Sequence, residues 1–427
     1  MLHSVITIVF ILGYAAIALE NTIKVNKAAS ALITGVACWT LFILFSTDKE
    51  MVSAGLMEHL GEVAGILFFL LGAMTIVELI DAHDGFDIIT DRISPDNPKR
   101  LLWIIAFITF FLSALLDNLT TTILMISLIR KLIHRDKDRW IFAGIIVIAA
   151  NAGGAWSPMG DVTTTMLWIG QQISAVNIVM RLFLPSLVCI VIPLIMASFM
   201  LCTKKGSSIS QKKTRRSDTT GIERKTVFIA GMISLLFVPI FKTLTHLPPF
   251  MGMLLSLGFM WALTELIHRG KNEQAHGSLS VAHALRQTDT PTILFFLGIL
   301  LCISALQSIG LLQTWATCLT THIADQSLII LLIGLISAIV DNVPLVAAVQ
   351  GMYPLSIYPT DHFFWEFLAY ATGTGGSILI IGSAAGVAAM GMEKITFFWY
   401  LKKIAWLAFA GYIAGAMVYI LQFSITG

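Results

Sequence analysis

The sequence predicts an all-α polytopic membrane protein with two inverted repeats, each containing a re-entrant helical hairpin and a broken transmembrane helix. The membrane class follows from composition, because 57% of the 427 residues are hydrophobic and only 12% are charged. The mean hydropathy is +0.85, and a soluble domain cannot hide that much apolar surface. The repeats follow from an internal duplication, and the hairpins and broken helices follow from polar interruptions in apolar runs.

The duplication is centred on a short motif. Residues 113–118 read Ser-Ala-Leu-Leu-Asp-Asn, and residues 337–342 read Ser-Ala-Ile-Val-Asp-Asn. Four ordered matches at a nearly constant offset indicate a duplication of the chain. The flanking matches pair 68–72 with 294–298, 151–155 with 373–377, and 160–161 with 382–383.

Apolar runs follow one another along the whole chain. A helix needs about 20 apolar residues to cross the hydrocarbon layer. The two runs with the Asp-Asn motifs are cut in the middle, and neither arm spans alone. The runs after them contain glycine-rich stretches at 151–158 and 372–377, where we expect the helix to break at mid-membrane. The runs lie at 5–19, 28–45, 63–80, 101–129, 140–169, 178–201, 226–241, 251–267, 290–312, 328–350, 363–392 and 404–420.

Each Asp-Asn run is either an interrupted crossing or a re-entrant hairpin with the motif at its tip. The basic residues separate these alternatives, because cytoplasmic loops are enriched in Lys and Arg. Eight basic residues lie in 203–225, five in 130–139 and three in 81–100, whereas 313–326 and 351–362 contain none. These counts place the first three segments in the cytoplasm.

Two hairpins fit this distribution better than an interrupted first crossing does. With hairpins, only Lys49, Arg181 and Lys242 lie outside. An interrupted first crossing would add Arg92, Lys99 and Arg100. We therefore expect the first hairpin to open to the cytoplasm and the second to the outside, which makes the two halves opposite in orientation. Inverted repeats with broken helices are a known transporter architecture.

The predicted organisation has a first repeat at 1–202, a basic cytoplasmic linker at 203–225 and a second repeat at 226–427. The hairpins are expected at about 101–133 and 327–351, and the broken helices at about 140–170 and 363–392. Two amphipathic stretches, 51–60 and 279–287, are expected to lie along the membrane surface. The five cysteines show no paired spacing and are interpreted as small apolar helix residues. The first apolar run is interpreted as a spanning helix, not a removable signal.

Ionisable residues inside the apolar runs are few, and each is a functional candidate because an intramembrane charge is costly. The first half supplies Asp117 at its tip and Asp161 after its glycine-rich break. The second half supplies Asp341 but no acid equivalent to Asp161, so we expect an asymmetric site. Thr374 and Ser383 add further hydroxyls. The candidate ion- and proton-binding residues are Asp117, Asn118, Thr120, Asn151, Ser157, Asp161, Thr163, Thr164, Ser337, Asp341, Asn342, Thr372 and Ser377.

These residues form an all-oxygen ligand set, which suits a hard cation. Neither Cys nor His lies near the motifs, so the pattern predicts a small alkali cation. We place Na+ at Asp117, Asn118, Asn151 and Asp161, and we expect no cofactor and no nucleic-acid partner. The alternative is that the acids only cap broken helix ends. The duplication of Asp-Asn in the same frame argues against that alternative.

Three further residues are weaker candidates. Glu62 and Glu78 lie near predicted helix ends, where snorkelling to the interface explains them equally well. His83 follows Glu78 on the predicted cytoplasmic side, and histidine titrates in the neutral range. Glu78 and His83 are therefore candidates for pH sensing, although the sequence favours a solvated loop histidine at position 83.

Two other functions fit these residues less well. An intramembrane aspartyl protease needs two catalytic aspartates, but the expected Gly-x-Gly-Asp signature lacks its first glycine at 158–161. A channel filter normally comes from symmetry-related subunits, whereas one chain with unequal inverted halves fits alternating access better. An inverted-repeat transporter is therefore the favoured architecture.

At these motifs the sequence resembles the NhaD-type sodium/proton antiporters of the ion transporter superfamily, over essentially its whole length. The resemblance implies a homodimer in a bacterial-type plasma (inner) membrane, or in an organelle membrane in a eukaryote, with a scaffold part and a mobile transport part. Relatives in the superfamily carry dicarboxylates or arsenite, so a sodium-coupled solute or anion transporter is the alternative. The resemblance assigns to the ion site Asp117, Asn118, Asn151, Asp161, Thr163, Thr164, Ser337, Asp341 and Asn342.

The expected mechanism is exchange of Na+, and of Li+, for protons by competition at buried aspartates, with elevator-type alternating access. Burial disfavours the charged form of a carboxylate, whereas a bound cation favours it. Asp117 and Asp161 would then hold either protons or a metal ion. Asp341 would bind the same ion, a second ion or a structural partner, and the sequence leaves these three roles open.

Overall fold

The computed structural model describes residues 2–90, 97–133, 135–200, 219–269, 279–323 and 325–426. Over these ranges the chain forms α-helices joined by turns and short loops, without a strand. The predicted all-α class is therefore confirmed. Seven of the described helices are long and apolar enough to cross a membrane.

Twenty-one helices lie within the described ranges. They are α1 (Leu2–Ala18), α2 (Glu20–Ile23), α3 (Lys27–Phe45), α4 (Lys49–Ala82), α5 (Asp87–Thr90), α6 (Pro98–Ser113), α7 (Asn118–Leu132), α8 (Asp136–Ala155), α9 (Val162–Ile169), α10 (Ala175–Met200), α11 (Gly221–Thr245), α12 (Pro249–His268), α13 (Val281–Gln287), α14 (Thr290–Ser308), α15 (Leu311–His322), α16 (Gln326–Ile336), α17 (Asn342–Met352), α18 (Phe363–Gly375), α19 (Ala384–Glu393), α20 (Phe397–Lys403) and α21 (Ala405–Thr426).

The helices pack in two groups. The first group contains α1, α3, α4 and α11 to α14, and the second contains α6 to α10 and α16 to α21. The groups meet where α17 packs against α14 and where α9 packs against α4, and α15 packs against both α14 and α17. Both Asp-Asn motifs and both glycine-rich breaks belong to the second group.

Helices α3 and α14 form the tightest pair of the first group. An added Cβ on Gly35 would lie 2.5 Å from the Gly298 carbonyl oxygen, so these helices touch backbone to backbone. The Trp39 indole also donates to the Leu301 carbonyl at 2.8 Å. The contact brings the buried thiols of Cys38 and Cys302 to 3.5 Å, a proximity that their sequence spacing did not predict.

The amphipathic stretch at 51–60 is not a separate surface helix, so that prediction was wrong. It continues without a break into the apolar segment, and together they form the 34-residue helix α4. At 1.5 Å per residue α4 is about 51 Å long, which exceeds the hydrocarbon layer of about 30 Å. Glu62 lies on this helix with a side chain that is 69% exposed. The second stretch forms the short helix α13, which packs against α4.

Each Asp-Asn motif joins two helices that are too short to be standard membrane spans. The first pair has arms of 16 and 15 residues, and the second has two arms of 11 residues. In the first pair the arms pack against each other. The motif itself forms the connecting turn in both cases, and the helix restarts at Asn118 and at Asn342.

The breaks in the following helices come later than predicted. Asn151 lies inside α8, which continues to Ala155, and Thr372 lies inside α18, which continues to Gly375. The non-helical backbone covers 156–161 and 376–383. Gly153 and Gly375 do not break their helices. Each lacks a side chain, so the backbone of a neighbouring helix can approach it closely.

The same close approach occurs in both halves. An added Cβ on Gly153 would lie 2.3 Å from the Phe110 carbonyl oxygen, and one on Gly375 would lie 2.1 Å from the Gly334 carbonyl oxygen. Both contacts join the first arm of an Asp-Asn pair to the helix before the next break. The duplicated sequence therefore forms duplicated packing.

A hydrogen bond is repeated in the same way. The Ser113 hydroxyl donates to the Ala150 carbonyl at 2.7 Å, and the Ser337 hydroxyl donates to the Thr372 carbonyl at 3.0 Å. Each bond ties the turn at the motif to the last turns of the neighbouring helix.

The second arm of each pair packs on the other half of the chain. Helix α7 packs against α19, where Arg130 Nε donates to Glu393 Oε1 at 2.7 Å. Helix α17 packs against α9, where Gln350 Nε2 donates to Gln172 Oε1 at 2.8 Å. The two halves are therefore interlocked around the breaks.

The predicted linker at 203–225 ends earlier than expected. Helix α11 begins at Gly221 with a capping box between Thr220 and Glu223, so the last five residues of the predicted linker are helical. This cap satisfies two backbone donors of the first turn. Residues 203–218 lie outside the described ranges.

We predict that Gly375→Ala destabilises the folded protein by about 1–3 kcal/mol, because the new methyl group would overlap the Gly334 carbonyl and force α16 and α18 apart. Gly391→Ala is the matched control, since nothing lies within 4 Å of an added Cβ there and alanine favours a helix over glycine. Melting temperatures of the purified proteins in detergent measure the difference. An equal effect of both substitutions would contradict the close packing.

Candidate ion-binding site

Four helices begin at the centre of the second group, and a polar side chain caps each of them. Asp117 accepts from the Thr120 backbone N–H at 2.8 Å, and Asp161 from that of Thr163 at 2.9 Å. Asp341 and Ser383 cap α17 and α19 in the same way. The predicted capping of helix ends is therefore present, but the side chains also reach one another across the breaks.

Asp161 is the hub of these contacts. Its Oδ2 accepts from Asn118 Nδ2 at 2.7 Å and from Asn342 Nδ2 at 3.3 Å. Asn118 Nδ2 also donates to Asn151 Oδ1 at 3.1 Å, and Asn151 Nδ2 donates to Ser383 Oγ at 3.0 Å. One continuous network therefore joins both Asp-Asn tips and both breaks.

The network is enclosed by protein. Asp161 is 2% exposed, and Asn118, Asn151, Asn342 and Ser383 are all buried. The Asp161 carboxylate also interacts electrostatically with those of Asp117 and Asp341. The three carboxylates of Asp117, Asp161 and Asp341 therefore lie close enough to influence one another.

Asp117 differs from Asp161 in its partners. Both of its carboxylate oxygens accept hydrogen bonds from Thr120, one from the backbone N–H and one from the hydroxyl at 2.7 Å. These bonds lie within α7, and the side chain is only partly buried. The Asp117 carboxylate therefore lies at the edge of the network, beside the enclosed hub.

Asp341 has a charged partner that the sequence analysis missed. Lys27 Nζ lies 3.3 Å from Asp341 Oδ2. Lys27 starts α3 and is 314 residues away in sequence. In the sequence it looked like an ordinary basic residue flanking a membrane helix, so no signal indicated this contact.

The predicted hydroxyls fall into two sets. Thr163 Oγ1 donates to Asp161 Oδ1 at 2.9 Å, and Thr164 Oγ1 donates to the Asp161 carbonyl at 2.9 Å. The hydroxyls of the second set donate to backbone carbonyls of residues other than Asp161 and are not brought to its carboxylate. It consists of Ser157, Ser337, Thr372 and Ser377.

Two further hydroxyls lie close to the tip in sequence. Thr121 and Thr122 follow Asn118 in the first turns of α7, and their buried hydroxyls have no hydrogen-bond partner within the described residues. Position 122 is four residues after Asn118, so it shares a helix face with it. Thr122 is therefore an oxygen donor on the same side of α7 as the network.

The polar groups gathered between the tips and the breaks are carboxylate, amide and hydroxyl groups. Within the described ranges, no three His, Cys, Asp or Glu side chains are spaced to hold a metal ion. A cation here would be held by carboxylate together with amide and hydroxyl oxygens, which suit a hard ion.

The candidates for pH sensing lie elsewhere, at the end of α4. Glu78 is partly buried within this helix. His83 is fully buried, so the interpretation as a solvated loop histidine was wrong. Its ring stacks on that of His268, with centroids 5.0 Å apart and Nε2 atoms 3.1 Å apart. His268 could not be found from the sequence, because nothing there pairs the ends of α4 and α12.

Comparison with known proteins identifies the family of this chain. The citrate transporter model (CitMHS) matches residues 6–375. Sodium/proton antiporter 1 of Arabidopsis thaliana is 49% identical over 97% of this chain and 71% of its own length. The Na(+)/H(+) antiporter NhaD of Alkalimonas amylolytica is 32% identical over 96% of this chain and 89% of its own. The chain belongs to the NhaD-type sodium/proton antiporters of the citrate transporter family.

This family consists of transporters, so the chain is a multi-pass membrane transporter and not an enzyme, and the protease alternative is discarded. A solved structure supports the fold independently. The YdaH transporter of Alcanivorax borkumensis superimposes with a TM-score of 0.55 at 12% identity, covering 90% of each chain. At that identity the likeness concerns the fold alone.

We predict that Asp161→Asn destabilises the protein more than Asp117→Asn does, by about 1–3 kcal/mol. An amide at position 161 would place its N–H group next to the N–H donors of Asn118 and Asn342, and donors cannot hydrogen-bond to one another. An amide at position 117 still caps α7, because Asn and Asp are equally good caps. Melting temperatures of the two purified variants test this. Equal shifts would show that Asp161 is not the hub.

Proposed function

We propose that this chain exchanges Na+ for H+ across the membrane by competition at Asp117 and Asp161. The observation that carries the proposal is the enclosed network around Asp161, which joins both tips and both breaks. The names of the related antiporters support the same pair of ions.

Competition follows from the cost of a buried charge. A carboxylate surrounded by protein is stabilised either by a proton or by a nearby cation. Asp161 has amide and hydroxyl partners, which orient it but do not neutralise it. Removing an uncompensated ion from water costs several kcal/mol, so the site binds either a proton or a metal cation.

The same cost couples the two ions. A loaded site, with protons or with a metal ion, carries less uncompensated charge than an empty one and can move through the membrane. An empty site would carry bare carboxylates, and moving it would incur the full cost of burying them. Exchange is therefore favoured over leakage, because the empty site does not cross.

Asp117 and Asp161 contribute differently in this scheme. Asp161 is 2% exposed and fixed by its partners, so it holds the ion within the protein. Asp117 is partly exposed at the edge of the network, which suits a residue that meets ions as they enter. Asn118 and Asn151 complete the coordination and exclude ions that are larger than Na+. Because Li+ is smaller than Na+, it is a substrate as well.

The two helix groups support alternating access of the elevator type. The network belongs entirely to the group of α6 to α10 and α16 to α21, and this group meets the other at a small number of helix contacts. In the proposal the second group moves with its ion against the first. The first group then forms the scaffold of a homodimer, which cross-linking in native membranes would test.

The alternative is a sodium-coupled solute or anion transporter, as the family description suggests. Four helix N-termini face the site, and such ends attract anions. Here three of the four are capped by aspartates. Their carboxylates occupy the positions that an anionic substrate would take, so the geometry favours a cation.

We predict that Asp117→Asn abolishes sodium-dependent proton movement in proteoliposomes while the protein still folds, because the amide keeps the cap but cannot exchange a proton for a metal ion. Asp136→Asn is the control, since Asp136 is an exposed acid outside the network. Wild-type exchange in the Asp117 variant would refute the assignment.

The same liposomes separate the two functions. An antiporter moves Na+ against a proton gradient without any organic solute, and a symporter needs one. We expect flux with Na+ and Li+ and little with K+, because the larger ion fits poorly among fixed amide oxygens. A strict requirement for citrate or another solute would favour the alternative.

We also propose that pH sensing resides at His83, with Glu78 nearby on α4. Two histidine rings with nitrogen atoms 3.1 Å apart cannot both be protonated without repulsion. We expect His268→Gln to shift the pH midpoint of exchange, and His322→Gln, which changes an exposed histidine, to leave it unchanged. Identical profiles for His268→Gln and the wild type would contradict this assignment.

A further inference from the structure

The second tip is joined to the first helix group by an ion pair. Lys27 on α3 lies 3.3 Å from Asp341, with side chains that are 29% and 21% exposed. Asp117, at the equivalent position of the first tip, has no ion pair within the described residues. The duplicated tips therefore differ in charge, although their sequences are nearly the same.

The position of Lys27 is not explained by its own helix. A cation at a helix N-terminus is unfavourable, because that end carries partial positive charge. The cap of α3 is already supplied by Asn26, whose side chain accepts from the Ala28 N–H at 2.8 Å. Lys27 Nζ instead lies 4.4 Å from the centre of the Phe295 ring on α14. The ring and the Asp341 carboxylate thus hold the ammonium group from two sides.

A third element also faces Asp341. Tyr14 on α1 interacts electrostatically with the Asp341 carboxylate. Its hydroxyl is buried and has no hydrogen-bond partner among the residues that the structure describes. Of the three side chains named on α1, α3 and α14, it is Lys27 whose charge stabilises a negative charge on Asp341.

Asp341 is at the same time coupled to the ion site. Its carboxylate interacts electrostatically with Asp161, and the next residue, Asn342, donates to Asp161 at 3.3 Å. The net charge of Asp341, with or without Lys27 beside it, therefore acts electrostatically on the Asp161 carboxylate. A nearby negative charge attracts Na+ and protons alike.

We infer that Lys27 is the resident counter-cation of Asp341, so that the transported ion is held by Asp117 and Asp161 and not by Asp341. Lys27 is then a positioning residue that sets the apparent affinity for sodium. This inference rests on the proposed exchange function, and it assigns to Asp341 the structural role among the three that the sequence left open.

The charge-neutral double variant is the decisive test. Asp341→Asn alone leaves Lys27 unpaired, and its positive charge should raise the KM for Na+ about tenfold. Lys27→Gln alone leaves Asp341 unpaired. Its negative charge should then keep protons bound at Asp117 and Asp161 up to a higher pH, which shifts the pH profile of exchange to more alkaline values. Combining both substitutions should return KM and the pH profile towards the wild type.

Two controls separate charge from structure. Lys27→Arg keeps the positive charge and should preserve both readouts, and Lys24→Gln removes an exposed lysine three residues earlier and should change neither. Melting temperatures show which variants fold. A purely structural lysine would alter the melting temperature but not the pH profile.

The outcomes distinguish this inference from the proposed function. If Asp341→Asn loses exchange and Lys27→Gln does not restore it, Asp341 binds the ion and the inference is wrong. Simple addition of the two single effects would also refute it. If the wild type shows no exchange of Na+ for protons in the same liposomes, the proposed function itself fails.

Discussion

A single buried carboxylate organises the centre of this molecule. Asp161 lies where the structure has no regular helix, and such backbone is tolerated at membrane depth only where protein encloses it. Amides from both halves satisfy the carboxylate, and its own helix supplies further donors. Because these partners orient the charge without neutralising it, the site retains an unmet need for a cation or a proton. In the proposed exchange, Na+ or a proton meets that need.

The interlocked halves hold this carboxylate in place. The second arm of each Asp-Asn pair packs on the helix that follows the break of the opposite half, with hydrogen bonds from Arg130 to Glu393 and from Gln350 to Gln172. The first arms approach the adjoining helices at glycines, where no side chain separates the backbones. Neither half could form the network alone, since each supplies only part of its donors.

Much of this arrangement could be predicted from the sequence, because the signals were local. Composition indicated the membrane class, and the repeated motif indicated where the paired short helices turn. The contacts that were missed are those between distant helices. Lys27 and His268 looked like ordinary helix-flanking residues, and only the packing of α3 and α12 brings them to Asp341 and His83. The breaks were placed too early because glycine can serve close packing as well as interrupt a helix.

The differences between the halves matter as much as their similarity. The duplication provides four capped helix ends, but one cap is Ser383 where its counterpart is Asp161. That difference leaves one hub in place of two. The ion pair of Lys27 with Asp341 adds a second difference, because it neutralises one tip and leaves the other charged. In a symmetric site both tips would be equally charged. Here the uncompensated charge lies at Asp117 and Asp161, and a single Na+ balances half of it while a proton on the other carboxylate balances the rest.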